Sequence, residues 1–152
     1  MRHTLLIGLL CAATACGAPS VNLATGVAVE NLSTGWLDSG AVNGANKVVP
    51  ELSFTLKNVS GQKLPPLQVN AVFRRISRTE EWGNGFRALS GSGSLAPGAS
   101  TDTVAIDAPL GYTGTDPTES LLHNSQFVDA KVDLFARYGS ATWTHLGEYP
   151  IE

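Results

Sequence analysis

Asp129 and Asp133 lie four residues apart in a stretch of strict apolar–polar alternation, with Lys131 between them. Paired carboxylates can divide general acid and base work, provided their environments push their pKa values apart. On an extended strand the two Cα atoms stand roughly 13 Å apart, beyond the separation at which glycosidases hold acid and base. Lys131 lowers both carboxylates instead of raising one, so the trio reads as a solvated sheet face. His145 and Glu148 combine two metal-ligand types, with His123 as a third candidate. Zinc needs three or four converging ligands. Residues three apart on a strand face opposite sides unless Gly147 breaks the strand, so His145 and Glu148 read as exposed strand-end positions. Ser90-Gly91-Ser92-Gly93-Ser94 offers hydroxyls but lacks the glycine that a nucleophile elbow needs two residues before its serine. Gly83-Asn84-Gly85-Phe86-Arg87-Ala88 spells a dinucleotide fingerprint with alanine last. That fingerprint works only between a strand and an opening helix, and neither flank fits; the glycines mark a turn. The expectation is a chain with no catalytic residue, no metal and no cofactor, and not an enzyme.

Cys16 is the remaining residue with chemistry to offer. Arg2 and His3 precede an apolar stretch, Leu5 to Ala13, and Ala13-Thr14-Ala15 supplies the small residues that a signal peptidase accommodates. The stretch is too short for a bilayer span of about 20 apolar residues; it has the layout of an export signal. Ala13-Thr14-Ala15-Cys16 resembles a bacterial lipoprotein lipobox, with Ala13 where leucine is commonest. The resemblance implies cleavage before Cys16, a lipidated thiol and usually an acylated amino terminus. Gly17 after the cysteine, in place of an inner-membrane aspartate, implies the outer membrane, facing the periplasm. The alternative is ordinary cleavage after Ala15 or Ala18, which leaves a soluble secreted domain. Cys11 leaves with the signal, so a lipidated mature chain has no disulfide to form. Each buried methylene contributes about 0.8 kcal/mol, and two or three acyl chains anchor far more firmly than one. Gly17 to Ser20 reach less than roughly 20 Å, which sets the domain close against the bilayer.

The organisation that follows is a signal peptide over 1–15, a lipidated tether over 16–20 and a domain over 21–152. The net charge of −3 becomes more negative when Arg2 leaves with the signal. A mild acidic excess repels nucleic acid, and the densest basic group is only Arg74-Arg75 with Arg78 nearby. No nucleic-acid partner is expected.

Period-two patterning with Gly, Asn, Pro and Ser punctuation argues for strands. Val21 to Glu30 alternates weakly, whereas Val48 to Asn58 alternates well, with Leu52, Phe54 and Leu56 on one face. Leu67 to Ile76 turns Leu67, Val69, Ala71 and Phe73 inward. Pro65-Pro66 stays outside that strand because proline cannot donate to the ladder. Thr79 to Leu89 is a short strand or a wide loop, and Leu95-Ala96-Pro97-Gly98 is a turn. Thr101 to Ala108 points Val104 and Ile106 inward. Asp116-Pro117-Thr118-Glu119 starts a brief helix, with Asp116 able to cap it. Phe127 to Tyr138 is the strongest strand, with Val128, Ala130, Val132, Leu134 and Ala136 inward and Phe127 and Phe135 on the opposite face. Ala141 to Ile151 closes the chain. The pattern predicts an all-β, immunoglobulin-like two-sheet sandwich of about seven strands with one short helix.

Phe54-Thr55-Leu56-Lys57-Asn58, the Leu95–Gly98 turn and the strand order are similar to the immunoglobulin-like modules of small bacterial lipoproteins, including the FxLYD type. The resemblance covers Val48 to Ala108. Phe73-Arg74-Arg75 stands where that type carries its tyrosine-aspartate pair, so the resemblance implies the fold and no functional residue.

The aromatics complete the reading. Trp143 reads as core, while Trp82, flanked by Glu80, Glu81 and Gly83, divides evenly between core and surface. Trp82, Phe86, Tyr112, Phe127 and Phe135 form the possible interaction surface, since aromatic side chains carry much interface energy. The expected function is a binding or assembly accessory module of the cell envelope, held to the membrane by lipid and meeting a protein partner there. The alternative is a small-ligand-binding periplasmic carrier with a pocket between Trp82, Tyr112 and the sandwich edge.

Overall fold

The structure is a computed structural model that describes residues 20–89, 93–125 and 127–152. The expected signal peptide, Cys16 and the expected tether up to residue 19 lie outside the described residues, as does Ser90-Gly91-Ser92.

Eight strands form two antiparallel sheets. One sheet runs β1 (Val27–Val42), β2 (Ala45–Asn58) and β5 (Val104–Asp107), with β6 (Tyr112–Gly114) also paired to β2. The other runs β4 (Glu81–Leu89), β3 (Leu67–Arg75), β7 (Ala130–Tyr138) and β8 (Thr144–Pro150). The orders β1-β2-β5 and β4-β3-β7-β8 match the A-B-E and C′-C-F-G orders of immunoglobulin-like sandwiches, except that β6 pairs with β2 where a D strand would pair with E. The predicted helix is α2 (Thr118–Leu122), and a second short helix, α1 (Leu23–Gly26), precedes β1.

The core follows the alternation read from the sequence. Leu52, Phe54 and Leu56 of β2 face Val69, Ala71 and Phe73 of β3, together with Val132, Leu134 and Ala136 of β7, all fully buried. Each such large side chain contributes about 1.5–3 kcal/mol by leaving water. These residues hold the two sheets together and position everything at the ends.

Four local features differ from the sequence expectation. Val21 to Glu30 is not a single strand, because Asn22 caps α1 by accepting a 3.0 Å bond from the Ala24 amide. Asp116 does not cap α2; Pro117 occupies the N-cap position without a side-chain bond. Gly83 and Gly85 mark no turn. They lie within β4 and face inward, where a Cβ would collide with Pro109 or Ile106, so their missing side chains let β4 lie close over β5. Finally, the strand predicted from Phe127 starts at Ala130.

The sandwich has two unlike ends. At one, Tyr138 Oη donates a 3.1 Å bond to the Val21 carbonyl; this is the end that the expected tether over 16–20 joins, the tether end. Strand β7 runs from there to Ala130 at the far end, where β3 finishes at Arg75. Past this end, the β1–β2 hairpin continues to a tight turn at Asn43-Gly44. Both turn residues have positive φ, 54° and 79°, as a type I′ hairpin requires.

Candidate functional site

The far end gathers four aromatic side chains from four segments. Trp36 comes from β1, Trp82 from the start of β4, Tyr112 from β6 and Phe127 from the chain entering β7. Phe127 lies 4.9 Å from both Trp36 and Tyr112 between ring centroids. Trp82 meets Tyr112 edge-on at 5.0 Å and Trp36 at 6.0 Å. These separations fall in the range where aromatic pairs attract beyond their area burial.

Each ring reaches this place for a local reason. The long β1–β2 pairing sets Trp36 opposite Pro50. Tyr112 is brought in by β6, whose register on β2 sets it opposite Val48. Gly111 lets the chain make that approach, because a Cβ there would overlap the Val48 carbonyl. The excursion from β6 through α2 is tied to the hairpin by Thr118 Oγ1 donating to Asp38 (2.8 Å) and Asn46 Nδ2 donating to the Asp116 carbonyl (2.8 Å). Asp38 also accepts a 2.8 Å bond from the Gly40 amide. That amide and then the Thr118 hydroxyl hold the Asp38 carboxyl below its ordinary pKa. Tyr112 in turn clamps the strand entrance: its hydroxyl donates to the Val128 carbonyl (2.9 Å) and accepts from the Val128 amide (2.8 Å). Phe127 is therefore turned into the cluster before the strand alternation begins, which corrects its predicted place on the outer face of β7.

Arg75, the last residue of β3, completes the site. Its guanidinium carbon sits 5.0 Å from the Trp82 ring and 5.6 Å from the Tyr112 ring. Such cation–π stacking contributes about 0.5–2 kcal/mol. Its Nε is buried without a hydrogen-bond partner, and no acidic side chain pairs with the guanidinium among the described residues. Hollows open on two sides of it. One of about 230 Å³ is lined by Arg75, Arg78, Glu80, Glu81, Trp82 and Leu110. The other, about 350 Å³, is lined by Arg75, Tyr112, Thr113, Leu121, Asn124 and Phe127.

Of the residues singled out from the sequence, Trp82, Tyr112 and Phe127 thus meet. Phe86 and Phe135 do not join them. They lie on the outer face of the β4-β3-β7-β8 sheet, Phe86 at 6.3 Å from Trp143 and Phe135 at 5.0 Å from His145. Trp143, expected in the core, stands half-buried on this outer face with the Arg137 guanidinium 4.4 Å from its ring. Trp82 and Tyr112 touch each other, and free space flanks Arg75 beside them, one hollow lined by Trp82 and the other by Tyr112. Two members escaped sequence reasoning. Trp36 had a signal in Asn43-Gly44, which predicts a hairpin and so a longer first strand. Arg75 had none beyond its place at a strand end.

Of the charged residues tested for catalysis, Asp133, Lys131, His145 and Glu148 have structural partners. Asp133 binds Arg74 and accepts or shares a 3.0 Å bond with His145 Nε2. Lys131 bonds Glu148 at 2.8 Å. A register shift in β8 makes Leu146 an extra residue, setting His145 opposite Phe135 and Glu148 opposite Asp133. His145 and Glu148 therefore share a face, though the irregularity falls at Leu146 and not at Gly147.

No family model matches the chain, and no curated protein sequence matches it. Among solved structures the chain is similar to one described as "X-ray structure of Northeast Structural Genomics Consortium target SoR45". Identity is 11%, with a TM-score of 0.48 over 86% of this chain and 89% of that one.

Proposed function

We propose that the chain is a lipid-anchored binding module of the bacterial envelope, tethered at Cys16 and recognising its partner with the aromatic far end. The reading is supported above all by the separation of the two ends. Val21, the first residue after the tether, is held at the Tyr138 end of β7, while Arg75 and the aromatic cluster lie at its opposite end. A nine-residue strand separates them by about 30 Å at the usual rise per residue. An acylated Cys16 therefore leaves the aromatic end directed away from the lipid surface, where another envelope component can reach it. Leu52, Phe54, Phe73, Val132 and Leu134 between the ends are fully buried against one another, which suits surface recognition better than enclosure of a ligand.

The test has two parts. Replacement of Cys16 by serine should release the chain from the membrane fraction, and retention there would remove the anchor from the reading. A photoreactive residue at exposed Thr113, at the far end, should give discrete adducts in intact cells; one at exposed Thr25, at the tether end, should not. Equal labelling from both positions, or none from Thr113, would overturn the assignment of the recognition end.

A further inference from the structure

We propose that Arg75 is an anion receptor, and that the hollow of about 350 Å³ beside it takes a carboxylate joined to a short apolar group. The inference rests on the reading of the far end as a recognition surface and names the chemistry recognised there. Three observations carry it. First, the guanidinium lies against the Trp82 and Tyr112 rings and has no acidic partner among the described residues. A guanidinium held by ring contacts keeps its terminal donors available, and their fork matches the two oxygens of a carboxylate. Second, Nε is buried without an acceptor. A buried donor left unpaired destabilises the folded state, so this arginine is not optimised for the stability of the fold alone. Other arginines of the same sheet are paired: Arg74 with Asp133 and Glu81, and Arg137 with Gln68.

Third, the two hollows differ in charge. The smaller contains Glu80 and Glu81, which repel an anion. The larger has no acidic side chain; it sets the Thr113 and Tyr112 side chains beside Arg75, with Leu121 and Phe127 supplying apolar wall. One guanidinium with acidic neighbours on its other side suits a single negative charge better than a phosphate's two. The volume lies at the lower end of small-ligand sites, enough for a carboxylate and one ring or branched side chain. Two sources share that chemistry: a free organic acid, and the last residue of a partner chain with its terminal carboxylate.

The experiment titrates the full chain, in detergent, with four probes: phenylacetate, phenylacetamide, and N-acetyl-Leu-Phe with a free or an amidated carboxyl terminus. Tryptophan fluorescence reports binding, because Trp36 and Trp82 adjoin Tyr112 and Phe127. Each acid should bind at least tenfold more tightly than its neutral amide, with an advantage that shrinks as salt rises. A peptide acid tighter than phenylacetate identifies a chain terminus as the source; the reverse order identifies a free acid. Arg75→Gln should erase the acid–amide difference, and Arg75→Lys should retain only part of it. Comparing acid with amide needs no variant, so a destabilised Arg75→Gln protein would not cloud the result. Amides binding as well as acids would overturn anion recognition while leaving a binding site at the far end. Failure of all four probes would overturn it too, and only if joined by absent crosslinks at Thr113 would it also remove the recognition end.

Discussion

The two ends of the sandwich treat buried polar groups in opposite ways. At the tether end Asn58 is fully buried, and its side chain is saturated. Nδ2 donates to the carbonyls of Gln62 (2.8 Å) and Leu95 (2.9 Å). Oδ1 accepts from the Ser60 amide (2.9 Å) and hydroxyl (2.7 Å). Backbone bonds from Asn58 N to the Ala99 carbonyl and from Gly98 N to the Asn58 carbonyl finish the joint. At the far end Arg75 is stacked, uncompensated by a carboxylate and short of a partner for Nε. A polar group that holds loops together is valuable only when all its bonds are made. One that meets a ligand must keep some unmade.

This contrast is open to direct challenge. The largest effect is expected from Asn58→Leu, which removes all four side-chain bonds of the joint at once and leaves the Leu95 and Gln62 carbonyls and the Ser60 amide with one partner each. It should cost about 3 kcal/mol, read as a lowered midpoint of chemical denaturation; a loss below about 1 kcal/mol would mean that water already replaces those bonds. Next comes Gly111→Ala. The new methyl must push β6 off the Val48 carbonyl, costing about 1–3 kcal/mol as overpacking does. It should also shift the Tyr112 and Trp82 signals, and an unchanged spectrum would show that Tyr112 is placed by other contacts. Smaller still is Arg75→Met, which should change stability by under about 1 kcal/mol, because the side chain it replaces makes no ion pair. A fall as large as that of Asn58→Leu would erase the distinction between the ends.

The smallest effect concerns acid. Asp38 holds Thr118 and the Gly40 amide, and these bonds depress its pKa. A depressed carboxylate contributes stability above its ordinary value of about 3.9 and loses it as pH falls through the lowered folded-state value. Below about pH 4 the hold of α2 on the hairpin should therefore weaken, visible as a change in Tyr112 and Trp36 resonances. Asp38→Asn should remove that pH dependence, and its persistence would assign the transition to another group.

Much of the sandwich was legible because burial has a period. Leu52, Phe54 and Leu56, or Val132, Leu134 and Ala136, announce their facing by alternation alone. Trp82, Tyr112 and Phe127 could be picked out as aromatic, yet nothing local says that they meet. Their meeting depends on a β6 segment three residues long, on the Tyr112 clamp at Val128 and on a hairpin that overhangs the end. Trp143 misleads for a similar reason: an apolar residue next to a turn carries no alternation to tell its side. Phe127 misleads because the alternating pattern runs past the point where pairing stops.

Read alone, the amino-acid order determined the class of architecture and the inward residues of β2, β3, β5 and β7, because these depend on residue type and spacing within one segment. Tertiary structure decided which end carries the aromatic cluster, that Arg75 lies without a counter-charge among the described residues, and that glycines at 83, 85 and 111 serve close packing. Those properties arise where segments distant in the chain touch, and contact across such distances has no period in the sequence to betray it.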